Sequence, residues 1–345
     1  MSYMLDEIRQ QPDVIANIVE RNGKAAQDLA AEMKKRDVDL VVLAARGTSD
    51  NAAICGKYMI ELVNGLPVSL AAPSIVTIYG ARLRLERALV IGISQSGKAL
   101  DVAEYLQQAK EMGALTAAIT NEADSDLAKA ADHLLLCHAG TEKGIAATKT
   151  YTGTLGALYM LTAAIAERDD LLNGLRRTAD LMRDTLSCEN HVAELAERYR
   201  YMEDCFMIAR GVNHATAAEA ALKMGETSYT GCKAYSAADF LHGPIAIVDH
   251  GFPCFLIAPD GKSLPMVSEL ADNLLAKEAE LIVISGNKSI LSKATRAIAV
   301  PVEVDELFSP LVYVIATQLF AYHLAVTKGY DPDHPRGLSK VTFTR

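Results

Sequence analysis

The sequence repeats itself at a nearly constant offset, and this repeat limits the possible folds more than any other feature. Ala45-Arg46-Gly47 returns 164 residues later as Ala209-Arg210-Gly211. Gly97-Lys98-x-Leu100 returns at the same offset as Gly261-Lys262-x-Leu264. The apolar run Thr116–Thr120 is matched by Leu281–Ser285 at an offset of 165. Three elements spaced alike in the two halves of a 345-residue chain indicate two copies of one domain.

Within the first copy, short apolar runs alternate with helical patterns, as expected for a parallel sheet flanked by helices. Strands are expected over 39–45, 67–71, 88–93, 115–120 and 133–137, and a long helical passage over about 145–168. The expected blocks are N-terminal helices over 1–35, the first copy over 36–168 and a charged helical connector over 169–200. The second copy then occupies 201–330, and a C-terminal tail over 331–345 closes the active site. The class is α/β, with a parallel five-stranded sheet in each copy, doubly wound in the flavodoxin-like manner.

The most informative stretch of the first copy is Leu89–Lys98, LVIGISQSGK. An apolar run here empties into Ser94, Gln95, Ser96 and Gly97, and a helical pattern follows from about Ala99. A strand ending in hydroxyls and a glycine, and feeding a helix, turns N–H and O–H donors toward the positive end of the helix dipole. That arrangement suits a dianionic phosphate. Neither a P-loop ending nor GxGxxG occurs here, so a small phosphorylated metabolite fits better than a nucleotide. A second hydroxyl-rich turn, Gly47-Thr48-Ser49-Asp50, follows the run Leu40–Ala45, and in a parallel sheet such ends line one crevice. In the second copy the corresponding residues are Ala258-Pro259-Asp260 and Val212-Asn213, which do not suit a phosphate. The first copy is therefore expected to bind the anion and the second to supply chemistry.

A net charge of −9 at pH 7 argues against nucleic acid or an anionic membrane surface as partner. The six cysteines are scattered without a CxxC, which reads as free thiols in a reducing cytoplasm. The polar, acidic N-terminus MSYMLDEIRQQ has no signal-peptide pattern, and the longest apolar run is read as Leu155–Ala166, too short to span a bilayer. His133, Cys137 and His138 fit no common zinc spacing, so neither a metal nor a cofactor is expected.

Five side chains are candidates for chemistry. Glu219, Lys223 and Glu226 lie at i, i+4 and i+7 of an alanine-rich helix over 215–229, which places them on one face. The same spacing also fits a solvated stripe with two intrahelical ion pairs. His242 stands beside a Gly-Pro turn, with an ordinary pKa suited to proton transfer at neutral pH. Lys340 lies in a tail, DHPRGLSKVTFTR, whose prolines and alternating end suggest packing. Gly140-Thr141-Glu142 and Ala147-Thr148-Lys149 are read as opening the helix over 145–168 and facing the crevice or capping the helix.

Together these motifs resemble the sugar isomerase (SIS) family, and within it the isomerase half of the glutamine–fructose-6-phosphate aminotransferases. The resemblance rests on GTS at 47–49, SQSG at 94–97, AGTEKGIAATK at 139–149, AAEAALKMGETSY at 217–229, LHGP at 241–244 and HPRGLSK at 334–340. It implies two tandem SIS domains, with the substrate bound by Thr48, Ser49, Ser94, Gln95, Ser96, Glu142, Ala146 and Ala147. It also implies that Glu226 moves a proton between C1 and C2, helped by Lys223, and that Lys340 forms an imine with the ketose. His242 would open the sugar ring from the partner subunit of a homodimer.

The family's glutaminase part has no counterpart ahead of Met1-Ser2. Lys98-Ala99 stands for a Glu-Thr pair, Ala147 for serine, Gly225 for lysine and Arg46 for cysteine. The activity expected from the resemblance is conversion of glucosamine 6-phosphate to fructose 6-phosphate and ammonia. A galactosamine-6-phosphate deaminase/isomerase, a deglycase and a sugar-phosphate sensor are the alternatives.

Overall fold

The computed structural model describes residues 2–340. Five parallel strands form the first sheet: β1 (Leu40–Ala44), β2 (Val68–Leu70), β3 (Ala88–Ile93), β4 (Leu115–Thr120) and β5 (His133–Leu136). The second sheet is built likewise from β6 (Asp204–Ala209), β7 (Gly231–Ser236), β8 (Pro253–Ile257), β9 (Glu280–Ser285) and β10 (Arg296–Ala299). The orders are β2-β1-β3-β4-β5 and β7-β6-β8-β9-β10, which are the same order. This is the flavodoxin-like winding, and it places the switch point at β1/β3 in one copy and β6/β8 in the other.

Numbering only helices of ten residues or more, the chain runs α1 (Tyr3–Arg21), α2 (Gly23–Lys35), α3 (Thr48–Asn64), α4 (Leu100–Glu111) and α5 (Lys149–Ala166). It continues through α6 (Asp169–Thr185), α7 (Glu189–Arg198), α8 (His214–Ser228), α9 (Leu264–Ala276) and α10 (Ser309–Thr327). In the first copy Val102, Tyr105 and Leu106 of α4 pack with Val42, Ala44 and Val90. Leu43, which alternates with them along β1, faces Gly56 of α3 and Leu158 of α5 instead. A strand covered on both faces needs a continuous apolar run, and β3 is buried from end to end. In the second copy Phe206, Ile208, Leu256 and Val283 pack with Val267, Leu270 and Leu274 of α9.

Two expectations need correction. The helix expected over 145–168 begins only at Lys149, because the preceding residues follow a loop with Gly140 at φ +64°. In that loop the Lys143 and Gly144 N–H groups donate to the Glu7 carboxylate, which serves the backbone where no helical carbonyl does. The longest apolar helix is α10, not Leu155–Ala166; its length and composition would allow it to cross a membrane, but it is buried on nearly all sides. An all-round apolar helix is the signature of a core position as much as of a bilayer span.

Compactness cuts the chain differently from the sequence-based blocks. By compactness the chain divides into one unit of the residues up to Arg9, Lys143–Ala146 and Thr178–Leu338, and another of Gln10–Glu142, Ala147–Arg177 and the residues from Ser339. The divisions fall inside α1 and α6, not at the ends of the expected blocks 1–35 and 169–200, since a long helix can pack its two ends on different neighbours. Within residues 331–340 of the tail, Pro332, Asp333 and Pro335 are buried and most of the others are exposed. The Asp333 carboxylate accepts the Ser2 hydroxyl and the Tyr3 and Met4 N–H groups, which caps α1. The Arg336 guanidinium lies 3.9 Å from the centre of the Tyr229 ring. Val341–Arg345, the alternating end of the expected closing tail, lies outside the described residues.

Candidate active site

The two hydroxyl-rich turns of the first copy are neighbours because β1 and β3 are paired, with Ala44 opposite Gly92. Beyond β3, the Gly97 N–H donates to the Ser94 carbonyl at 3.1 Å and closes a four-residue turn. Gly97 sits at φ +62°, and a Cβ there would lie 2.1 Å from the Ser125 hydroxyl, so no other residue fits. Among the described residues the Gln95 and Ser96 N–H groups meet no acceptor. Ser94 is buried, and Gln95 and Ser96 are half-buried. Two successive unanswered N–H groups beside hydroxyls, one turn before a helix, form a concavity suited to an anion.

The β1 turn uses Gly47, at φ +55°, to enter α3, whose first two residues are Thr48 and Ser49, both half-buried. Arg46, just before this glycine, reaches across to α4. Its Nε and Nη2 both lie 2.8 Å from Oδ2 of Asp101, which is buried in the first turn of that helix. Burial also pushes the Asp50 carboxyl above its usual range, and Arg46 opposes that shift.

Glu142 and Lys340 meet in the same unit. The Lys340 Nζ donates to Oε2 of Glu142 at 2.9 Å. The Glu142 side chain is fully buried; it also accepts the Thr148 and Thr150 N–H groups at 3.0 and 3.1 Å and the Thr150 hydroxyl at 2.7 Å. With those donors in place, Glu142 caps α5 and holds Lys340. Ala147 is half-buried in the loop before α5, and Ala146 is buried.

In the other unit α8 carries the predicted stripe, and it is not solvated. Glu219 and Lys223 are fully buried, whereas the Glu226 side chain keeps 22% of its surface exposed. The Lys223 Nζ lies 2.5 Å from Glu226 and 3.4 Å from Glu219. The alanines of this helix let it pack closely on α10, where the Thr227 hydroxyl donates to the Lys223 and Ala321 carbonyls. A buried lysine is tolerable only when paired, and here it has a carboxylate on either side. The result is a partly exposed carboxylate with a buried cation held against it. His242 stands apart on an exposed turn after β7, and its side chain has no partner among the described residues.

Other titratable groups are structural. None of the six cysteines is paired or fully exposed. Burial raises the Cys55, Cys137 and Cys254 thiols to about 12 and Cys188 to about 11. His138 bonds Asn22 at 3.1 Å and is lowered by burial, and no metal-holding group of His, Cys, Asp or Glu occurs among the described residues.

Two functional-looking features were not foreseen. The Arg46–Asp101 pair joins residues that no short motif connects. Glu306 sits on the second copy's turns, and the 164-residue offset, which pairs it with Glu142, was the available signal.

Comparison with known proteins gives a consistent result. The SIS domain model matches residues 16–164 and 202–328. Glutamine–fructose-6-phosphate aminotransferase (isomerizing) of Aquifex aeolicus is 35% identical over 98% of this chain and 57% of its own length. The protein of the same name from Thermus thermophilus is 35% identical over 98% of this chain and 58% of its own length. The chain thus spans little more than half the length of these relatives. The C-terminal domain of glucosamine-fructose-6-phosphate aminotransferase from Francisella tularensis superimposes with a TM-score of 0.87 at 28% identity, covering 97% of this chain and 98% of that one. Glucosamine-6-phosphate deaminase from Thermotoga maritima gives 0.80 at 23% identity, over 99% and 100%, and at that identity the likeness is one of fold.

Proposed function

The chain belongs to the SIS domain family, and from that premise we propose that it is a phosphosugar isomerase that deaminates glucosamine 6-phosphate to fructose 6-phosphate and ammonia. The observation that carries the reading is the buried Lys223 held 2.5 Å from the partly exposed Glu226 carboxylate. Such a pair fits a base that takes a proton from one carbon and returns it to the next.

In this reading the Ser94–Ser96 turn and Thr48–Ser49 hold the phosphate. His242 opens the ring by moving a proton between the C1 hydroxyl and the ring oxygen. It is assigned to act from a second copy of the chain, because in its own subunit it is exposed and without a side-chain partner. Glu226 removes the C2 proton of the open aldose and delivers it to C1, while a proton passes from the C2 amine to the C1 oxygen, leaving an imine at C2 and a hydroxyl at C1. The Lys340 amine, once its proton has passed to a base such as Glu142 at 2.9 Å, replaces ammonia at C2. Water then hydrolyses the lysine imine to the ketose. One water is consumed, and one ammonia and one fructose 6-phosphate leave.

The direction is assigned by mass action: where free ammonia is low, release of ammonia is favoured over its capture.

The test is incubation with glucosamine 6-phosphate and, separately, galactosamine 6-phosphate, followed by assay of ammonia and ketose phosphate. Stoichiometric ammonia and fructose 6-phosphate from the first is the expected result. Binding of both without turnover of either would sink the enzyme reading in favour of a sensor.

A further inference from the structure

Asp101 poses an electrostatic problem for an anion site. A buried carboxylate in the first turn of α4 stabilises the helix dipole, but it sits just beyond the turn meant to receive a phosphate. Unanswered, it would repel the ligand and compete for the same N–H groups. Arg46 answers it with two 2.8 Å contacts to one carboxylate oxygen, while the other oxygen accepts the Val102 N–H at 3.0 Å. The guanidinium side chain is 46% exposed and the carboxylate 3%, so the positive partner is the one on the solvent side.

The second copy supports the inference. It keeps the arginine, as Arg210 at the 164-residue offset, but the Asp101 position there is Pro265. Arg210 turns instead to the Ser236 hydroxyl at 3.0 Å. The Arg–Asp bridge thus occurs only in the copy whose turn carries the serine hydroxyls, Ser94 and Ser96, where the other has Ala258 and Asp260.

We propose that Arg46 and Asp101 form a positioning pair for substrate phosphate: the pair ties the β1 turn to the β3 turn, and Arg46 cancels the Asp101 charge so that the Ser94–Ser96 cradle can accept a dianion. The inference rests on the phosphosugar reading above. Two unit charges about 8 Å apart at an effective dielectric near 20 interact strongly enough to change an affinity by about thirty-fold. R46M should raise KM for glucosamine 6-phosphate, and Kd for inorganic phosphate, by about ten- to thirty-fold. The turnover number should stay within about three-fold, because no proton-transfer group is touched.

The decisive arm is the double variant. If Arg46 acts by neutralising Asp101, R46M/D101N should recover both constants to within about three-fold of wild type, in a cycle far from additive. R46K, which keeps the charge, should lose less than R46M and covers the case in which R46M does not fold. Unchanged KM and phosphate affinity in R46M, a fall in turnover at constant KM, or a double variant as weak as R46M would each overturn the pairing. Wild-type protein that neither binds inorganic phosphate nor turns over the sugar would instead remove the phosphosugar reading, and the inference with it.

Discussion

In the first copy the Gln95 and Ser96 N–H groups meet no acceptor among the described residues, whereas in the second copy Pro259 has no N–H to offer and the two N–H groups after Gly261 are bonded from within. There the Glu306 carboxylate accepts the Lys262 N–H at 2.6 Å and the Ser263 N–H at 3.2 Å. It lies so close to Gly261 that a Cβ on that glycine would be 2.2 Å from Oε2, and within 3.9 Å of where a Gly211 Cβ would be. The second turn is altered too: Asn213, at the position of Ser49, is fully buried and bonded to the Ser309 hydroxyl at 2.6 Å. The same strand order thus carries one turn with two serines and unanswered N–H groups and one closed by the protein's own carboxylate. In the proposed function, binding is set by a few side chains laid over the fold, not by the fold.

The copies differ equally in chemistry, and the largest expected effect tests that division. E226Q should lower turnover by about 10²–10⁴-fold while inorganic phosphate, followed by 31P NMR, binds as to wild type. Loss of phosphate binding along with turnover would break the assignment of anion and proton work to different copies.

Next in size are the turn glycines. G97A places a Cβ 2.1 Å from Ser125 at φ +62° and should cost about 2–4 kcal/mol in denaturant melts, with phosphate binding lost in whatever folds. G261A, at φ +148°, puts a Cβ 2.2 Å from Oε2 and 2.6 Å from Cβ of Glu306, so it too should destabilise the fold, but it should leave phosphate binding intact in whatever folds. Equal losses of binding would show that the second cradle is not closed.

Much of this was legible in advance, for identifiable reasons. The strands emerged within a residue or two because buried parallel strands are continuous apolar runs closed by polar turns, as Ala88–Ile93 and its following serines illustrate. The enclosed α8 stripe was half legible: the spacing placed Glu219, Lys223 and Glu226 on one face, but burial depends on α10, almost a hundred residues away. The start of α5 was misplaced because the loop before it is held by Glu7, far off in sequence, which leaves Glu142 to cap Thr148 and Thr150 from just upstream. The Arg46–Asp101 bridge was invisible for the same reason, since it spans two strand–helix crossings that no short pattern encodes.

Serine for serine, the comparison sharpens further. S94A/S96A should raise KM about ten-fold with turnover little changed, since each hydroxyl gives a dianion a hydrogen bond of roughly 1–2 kcal/mol at most. D260A, at the position of Ser96, removes only a 2.6 Å contact from Asn287 and should leave KM unchanged. A matching rise in KM would place substrate in the second copy.

The smallest effect concerns Glu306 itself. E306A leaves the Lys262 and Ser263 N–H groups without their acceptor and should cost about 1–2 kcal/mol, softened because Lys262 is exposed to water. In an S94A/S96A background, where the first cradle is weakened, millimolar phosphate should then raise the melting temperature of E306A more than that of its Glu306 parent, by mass action at the vacated N–H pair. Sodium chloride at matched ionic strength controls for screening. An equal rise in both proteins would mean that the second turn lost its affinity for anions when Pro259 and Asp260 replaced its donors, so that Glu306 braces a turn that solvent anions would not enter even if it were left open.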